Sequence, residues 1–296
     1  MSPNKLKGCE LHILQNLYNE NNKPIGVFDS GLGGLTAVKE LKKVLPNESI
    51  VYFGDTGRVP YGTRSKSTII RYASQDANFL LEKGVKLVVA ACGTVSSSAK
   101  EELSKLPVPY IDVISPTAQA AVRATKNKKI GVIGTGATVK SGSFNKAISA
   151  LDSDILVISQ ACPLFVSLVE NGFIEEDNEV TILVAKKYLQ NIIEAGVDTL
   201  ILGCTHFPII APVIRKVMGE KVTLIDSGKE TARYVKEIIL KENLENKGAS
   251  PSYSYNVSDD TENFKNIAEI FLQGEIDGEV ERIDIGKYKR NVGGAD

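Results

Sequence analysis

Glu194–Phe207 reads EAGVDTLILGCTHF, and this stretch decides the fold. A charged helix end reaches Gly196, which suits the residue after a helix C-terminus. The run from Thr199 to Leu202 is apolar and partly β-branched, the pattern of a strand buried on both faces. Cys204, Thr205 and His206 then fall where that strand ends, and open α/β sheets gather ligands at the carboxyl ends of their strands.

The stretch has a counterpart. Glu82–Thr94 reads EKGVKLVVAACGT, with the same order of glutamate, glycine, valine, apolar strand and cysteine. Each of Cys92 and Cys204 stands ten residues after its glutamate. IGVFDSG at Ile25 pairs with IGVIGTG at Ile130, and Ile111-Asp112 pairs with Ile225-Asp226. Three pairs in the same order are better explained by an internal duplication than by chance agreement of apolar runs. The expected fold class is α/β: two pseudo-symmetric, doubly wound domains, each with a mainly parallel sheet flanked by helices, and an active site in the cleft between them. The expected division is an N-terminal extension at 1–23, a first domain from 24–115 plus 226–296, and a second from 116–225.

The chain has 296 residues, 43% of them hydrophobic and 24% charged, which suits a soluble globular protein of two ordinary domains. A net charge of −1 favours neither nucleic acid nor an anionic membrane as partner. No apolar run is long enough to span a bilayer, and the N-terminus lacks the pattern of a secretory leader. Four cysteines in so long a chain do not suggest a disulfide framework, so the expected location is the cytoplasm with reduced thiols. Leu11, Ile13, Leu14 and Leu17 would line one short amphipathic helix, with Cys9 and His12 as bystanders. The last residues, NVGGAD, are expected to be disordered.

Further strands are predicted at 25–29, 49–53, 108–113, 130–134, 154–159 and 222–226. Helices are predicted at about 35–45, 65–83, 179–194 and 229–240. After a polar linker at 243–252, strands at 253–257 and 280–285 flank a helix near 264–272. This tail is expected to fold back on the first half.

DSGLGG follows the first strand. It does not match the dinucleotide fingerprint, and no ribose-binding acid follows at the usual distance. It suits a carboxylate held by Ser30 and backbone donors, and an ammonium held by Asp29; the plainer alternative is Asp29 as a helix cap. In the loop GRVPYG, Tyr61 is displayed between Pro60 and Gly62. After Cys92, Thr94 and the serines to Ser98 are capping and anion-contact types. Thr135 and Thr138 occupy the corresponding turn of the second half.

Two cysteines from matched strands would face each other across the cleft. That arrangement suits removal of a proton from one face of a carbon and delivery of another to the opposite face, one sulfur starting as thiolate and the other as thiol. Asp29 would tune Cys92, and His206 and Glu170 would tune Cys204. Cys162, before Pro163, reads as a small buried hydrophobe. A zinc site would want more ligands than Cys204 and His206, and a Cys–His hydrolase would leave Cys92 and the duplication unexplained. A two-lobed binding protein for acidic amino acids could use the same cleft without turnover.

FDSGLGG at Phe28, PYG at Pro60, AACGT around Cys92, GTGATVKSG from Gly134, CPLFVSLVENG from Cys162 and GCTHFP at Gly203 together resemble the cofactor-independent aspartate/glutamate racemases, over about 25–226. The resemblance implies interconversion of L- and D-glutamate without PLP or any other cofactor or metal, supplying D-glutamate for peptidoglycan, in an enzyme commonly found as a homodimer. Aspartate or broad amino-acid specificity is the nearest alternative. The resemblance also implies that Cys92 and Cys204 are the acid/base pair, that Glu170 assists the second thiol, and that Asp29, Ser30, Tyr61, Gly62, Thr94, Thr205 and His206 contact substrate. Gly93 and Thr138, in the same motifs, complete the candidate contacts. One position departs from the family: its usual Asn after the first cysteine is here Gly93. The backbone N–H is kept and a side-chain amide is lost, so Gly93→Asn is expected to tighten glutamate binding.

Overall fold

The computed structural model describes residues 21–248 and 250–288. The candidate helix at Leu11–Leu17, Cys9, His12 and the terminal NVGGAD lie outside the described residues. Among the described residues ten strands form two sheets in which every neighbouring pair is parallel. The strands are β1 (Ile25–Asp29), β2 (Ile50–Gly54), β3 (Leu87–Ala90), β4 (Tyr110–Asp112), β5 (Lys129–Gly134), β6 (Leu156–Ala161), β7 (Thr199–Leu202), β8 (Thr223–Asp226), β9 (Tyr253–Val257) and β10 (Glu279–Arg282). The helices of the first half are α1 (Leu35–Val44), α2 (Lys66–Glu82), α3 (Gly93–Ser98) and α4 (Lys100–Leu103). Then come α5 (Ile114–Ala124), α6 (Gly136–Ser141), α7 (Ser143–Leu151), α8 (Pro163–Glu170), α9 (Glu179–Glu194) and α10 (Ala211–Met218). The chain closes with α11 (Ser227–Lys241) and α12 (Thr261–Leu272).

The sheet orders carry the duplication. One sheet runs β10-β9-β2-β1-β3-β4 and the other β6-β5-β7-β8. The block β2-β1-β3-β4 therefore repeats as β6-β5-β7-β8, each half built around its first strand. Gly84 and Gly196 take the same left-handed backbone, with φ of +71° and +68°, after α2 and α9. A side chain would be strained at either point, and this is what turns each helix into its cysteine strand. The tail does fold back on the first half: β9 pairs with β2 and extends that sheet.

Parallel strands covered on both faces read as unbroken apolar runs. β1 and β7 are buried along their whole length, which is why their bounds are legible. The edges differ. The strand expected at 108–113 starts only at Tyr110, because Pro109 has no N–H for the ladder and only its carbonyl is used, by Val88 N–H at 2.9 Å. The strand expected at 154–159 runs instead over Leu156–Ala161. It is the outer strand of its sheet and only half-buried, so polar Ser159 and Gln160 are accommodated. The last strand ends at Arg282, and Ile285 begins a short 3-10 turn instead. Short helices α3, α4, α6, α7 and α8 carry too little period to be read locally. α11 packs on α1 and α5, tying the two sheets together.

Candidate active site

Cys92 and Cys204 each fall on the second residue after their strands, β3 and β7. Both are nearly buried, at 5% and 8% exposure. Around Cys92 the first half gathers Ser30, whose Oγ is 3.4 Å from Sγ, and Asp29 at the end of β1. Burial pushes the Cys92 thiol up to about 12, with the charges of Asp29 and Cys204 adding to the rise. Asp29 is fully buried; its Oδ2 accepts the Gly31 N–H at 3.1 Å. Its Oδ1 is buried without a hydrogen-bond partner among the described residues. Burial raises the Asp29 pKa, opposed by His206 and by backbone N–H groups of Gly34, Gly31 and Ser30.

Around Cys204 the second half supplies a relay. His206 Nδ1 lies 3.9 Å from Cys204 Sγ, and His206 Nε2 lies 2.8 Å from Glu170 Oε1 at the end of α8. Burial pulls the His206 pKa down, but its bonds and attraction to Cys204 and Glu170 outweigh burial and raise it to about 10. An imidazolium here puts positive charge beside Cys204, while Cys92 faces a carboxylate. The two sulfurs therefore sit in opposite electrostatic surroundings.

The halves meet through small groups. Thr94 Oγ1 lies 2.9 Å from Thr135 Oγ1, which lies 3.0 Å from Thr138 Oγ1. Thr36 Oγ1 donates to the Thr205 carbonyl at 3.1 Å. A Cβ on Gly33 would fall 2.1 Å from Thr205 Oγ1, and one on Gly62 would fall 3.1 Å from Thr135 Cβ. A Cβ on Gly93 would fall 2.5 Å from the Gly203 carbonyl oxygen. In this arrangement an Asn at 93 would have to displace the Gly203 carbonyl as well as reach the substrate.

The reading of Tyr61 as a displayed loop residue is corrected. It is not displayed: it is 1% exposed, and its hydroxyl is held by Asp55 and, at 3.0 Å, by Asp76. Arg58 joins the same pair, 2.5 Å from Asp55 and 2.8 Å from Asp76. Only the Tyr61 backbone is left for a ligand. Cys162 is fully buried in the core, as read. Sequence reasoning gave Thr135 no part among the candidate contacts, yet it joins the two halves. It also missed Phe271 of α12, whose ring stands edge-on to His206 with centroids 5.1 Å apart. A threonine chain mirrored in both halves was the available signal for the first; no local signal marks the second. Among the described residues no group of three or more His, Cys, Asp or Glu is placed to hold a metal ion, and no helix is long and apolar enough to cross a membrane.

Two mirrored α/β halves, each delivering one cysteine to a shared seam, define a class. The family model for Asp/Glu/Hydantoin racemase matches residues 36–235. A glutamate racemase of Geobacter metallireducens is 46% identical over 269 residues, covering 90% of this chain and 98% of that protein. One of Neisseria meningitidis is 45% identical over 267 residues, covering 89% and 97%. The crystal structure of a Francisella tularensis glutamate racemase in complex with D-glutamate superposes with a TM-score of 0.85 at 39% identity, covering 90% of this chain and all of that one. The chain belongs to the Asp/Glu/hydantoin racemase family. Within it, the chain stands among the glutamate racemases, which are isomerases.

Proposed function

We propose that the chain interconverts L- and D-glutamate by a two-base proton transfer at Cα, with Cys92 and Cys204 as the pair. The observation that carries this reading is the opposed setting of the two sulfurs: Cys92 held as thiol by burial and Asp29, Cys204 beside the His206–Glu170 relay. The thiolate takes the Cα proton and becomes a thiol. The electron pair left on the flattened Cα takes a proton from the other thiol on the opposite face, which becomes the thiolate. Configuration inverts, no atom is lost, and the site is left poised for the reverse hand.

Asp29 Oδ1, buried and without a partner among the described residues, suits the substrate ammonium. Ser30, Thr94, Thr138, Thr205 and the backbone N–H groups of Tyr61, Gly62 and Gly93 suit its carboxylates. Residues 24–115 with 226–296 would close against 116–225 around the amino acid. We place the enzyme in the cytoplasm, where two free thiols survive, acting as a homodimer that supplies D-glutamate for peptidoglycan. Light scattering on the eluting protein tests the dimer.

The experiment for the reaction is incubation of each enantiomer of glutamate and of aspartate in D₂O with no added PLP. Deuterium at Cα with loss of optical rotation for glutamate is expected. Exchange with aspartate alone would move the specificity, and tight binding without exchange would make the chain a binding protein.

A further inference from the structure

Tyr52 lies in β2 and is fully buried. The strand alternates: Ile50 and Tyr52 join the core cluster that holds Val27 of β1, while Val51 and Phe53 join the one that holds Phe28. A phenol buried on such a face needs a partner for its hydroxyl. It finds one just beyond the end of β1, where the hydroxyl donates to the Gly31 carbonyl at 2.7 Å. The N–H of the same Gly31 donates to Asp29 Oδ2 at 3.1 Å. Gly31 thus joins the tyrosine to the carboxylate. Burial pushes the Tyr52 pKa well up, with the charges of Asp29 and Cys92 adding to the rise, so the phenol stays a donor.

The neighbours leave this arrangement little room. A Cβ on Gly34 would fall 2.5 Å from Asp29 Cβ and 3.1 Å from the Tyr52 hydroxyl oxygen. A Cβ on Gly54 would fall 2.4 Å from the Gly31 carbonyl oxygen. The tail seats the ring. Phe264 of α12 stacks on it with centroids 6.4 Å apart, Tyr255 of β9 is tilted against it at 6.4 Å, and Asn256 Nδ2 donates to the Tyr52 carbonyl at 3.1 Å.

We propose that Tyr52 is a positioning residue for the reaction: through Gly31 it holds the Asp29–Gly31 turn, so that Asp29 Oδ1 meets the substrate ammonium and Ser30 stays beside Cys92. Asp29 Oδ1 is buried without a hydrogen-bond partner among the described residues, so its direction is set by whatever holds Oδ2 and the backbone behind it. Oδ2 is held by Gly31, and Gly31 by Tyr52. Ser30, 3.4 Å from Cys92 Sγ, stands between the two anchored residues. The tail thereby bears on the Cys92 side through one hydroxyl, as Phe271 bears on His206. An ammonium bound alike in ground and transition states sets affinity more than turnover, so loss of the hydroxyl should appear mainly in KM. This inference rests on the glutamate reading.

The test is racemisation of glutamate by the full chain, followed by polarimetry well below Tm, in the parent, Tyr52→Phe, Tyr255→Phe and Phe264→Leu. Tyr52→Phe keeps the ring and leaves a buried carbonyl unpaired; KM should rise about tenfold and kcat change less. Tyr255→Phe removes a neighbouring hydroxyl that accepts from Lys42 at 2.6 Å and donates to Asp277 at 2.9 Å; it should lower Tm and leave KM unchanged. Phe264→Leu loosens the seat of the Tyr52 ring and keeps its hydroxyl; KM should rise by a smaller factor. A lower Tm in Tyr52→Phe with KM at the parent value would overturn the proposal. So would an equal rise of KM in Tyr255→Phe, which would mark general loosening of the tail. If Tyr52→Phe does not fold, Phe264→Leu decides, and an unchanged KM there overturns the proposal. A parent that racemises no glutamate sinks the glutamate reading and this inference together, whereas an active parent with an unaffected Tyr52→Phe sinks this inference alone.

Discussion

Glu170 Oε1 and His206 Nε2 lie 2.8 Å apart although 36 residues separate them in the chain. The contact fixes the imidazole by one nitrogen and leaves Nδ1 turned to Cys204. Glu170 therefore acts through His206, as a positioning residue. Glu170→Gln keeps the size of the group and removes its charge. Racemisation should fall about tenfold or more, short of the ~10²–10⁴ expected for losing a direct acid–base group. Because Cys92 has no such relay, deuterium exchange should slow more for one enantiomer than for the other. Equal slowing of both would assign Glu170 a general structural role.

The same relay ties stability to pH. The His206 pKa is about 10 in the folded chain against 6.5 for an ordinary histidine. A group whose pKa is raised on folding stabilises fully below its unfolded value, and this is lost as pH rises through the folded value. Urea unfolding should show stability falling between about pH 6.5 and 10, by at most a few kcal/mol. Cys92, at about 12 against 9.0, gives the same sign but only above pH 9. His206→Asn should flatten the lower part of the slope; an identical slope in that variant would refute the assignment.

The two sulfurs make the sharpest prediction for the reaction. Cys92→Ser and Cys204→Ser should each abolish racemisation, lowering kcat/KM by ~10³ or more, since a hydroxyl is a far weaker acid than a thiol. Polarimetry with both enantiomers checks this. Near-parent activity in either variant would end the two-base scheme.

What the sequence disclosed follows from how each feature is encoded. β1 and β7, as apolar runs, β9, as a short strand-type run after a polar linker, and the long helix α9, with its closing glycine at 196, are local patterns. Cys92 and Cys204 were legible because the duplication places them on equivalent strand ends, and His206 because it stands two residues beyond Cys204. The Tyr61 hydroxyl was misread because its partners, Asp55 and Asp76, lie on different elements and leave no periodic trace. Phe271 reaches His206 from the far end of the chain, and only the packing of α12 on α1 brings it there. The seam contacts of Gly33, Gly62 and Gly93 depend on how two halves meet, which no local window records.

Tyr61 gives a prediction about stability and about the loop it carries. Its hydroxyl stands between two fully buried carboxylates that share a single arginine. Burial pushes the Asp76 pKa well up, with the Asp55 charge adding to it, and the hydrogen bond donated by Tyr61 opposes that rise. Tyr61→Phe removes a donor and strands a buried acceptor, a loss of about 1–3 kcal/mol. The KM for glutamate should also rise, because the backbone of Tyr61 and Gly62 is fixed by that ring. A drop in Tm with unchanged KM would confine the residue to stability.

Gly93 decides between two opposed expectations. A side-chain amide at this position would offer the substrate a hydrogen bond. Yet its Cβ would come within 2.5 Å of the Gly203 carbonyl, a backbone atom at the end of β7 that yields only if the halves part. Overpacking of this kind costs about 1–3 kcal/mol, more than one new hydrogen bond contributes, about 1 kcal/mol. Gly93→Asn should therefore raise the KM for glutamate or lower Tm, and Gly93→Ala, which adds the Cβ alone, should do the same. If Ala loosens binding while Asn tightens it, the amide outweighs the steric cost and the halves part at this point without penalty.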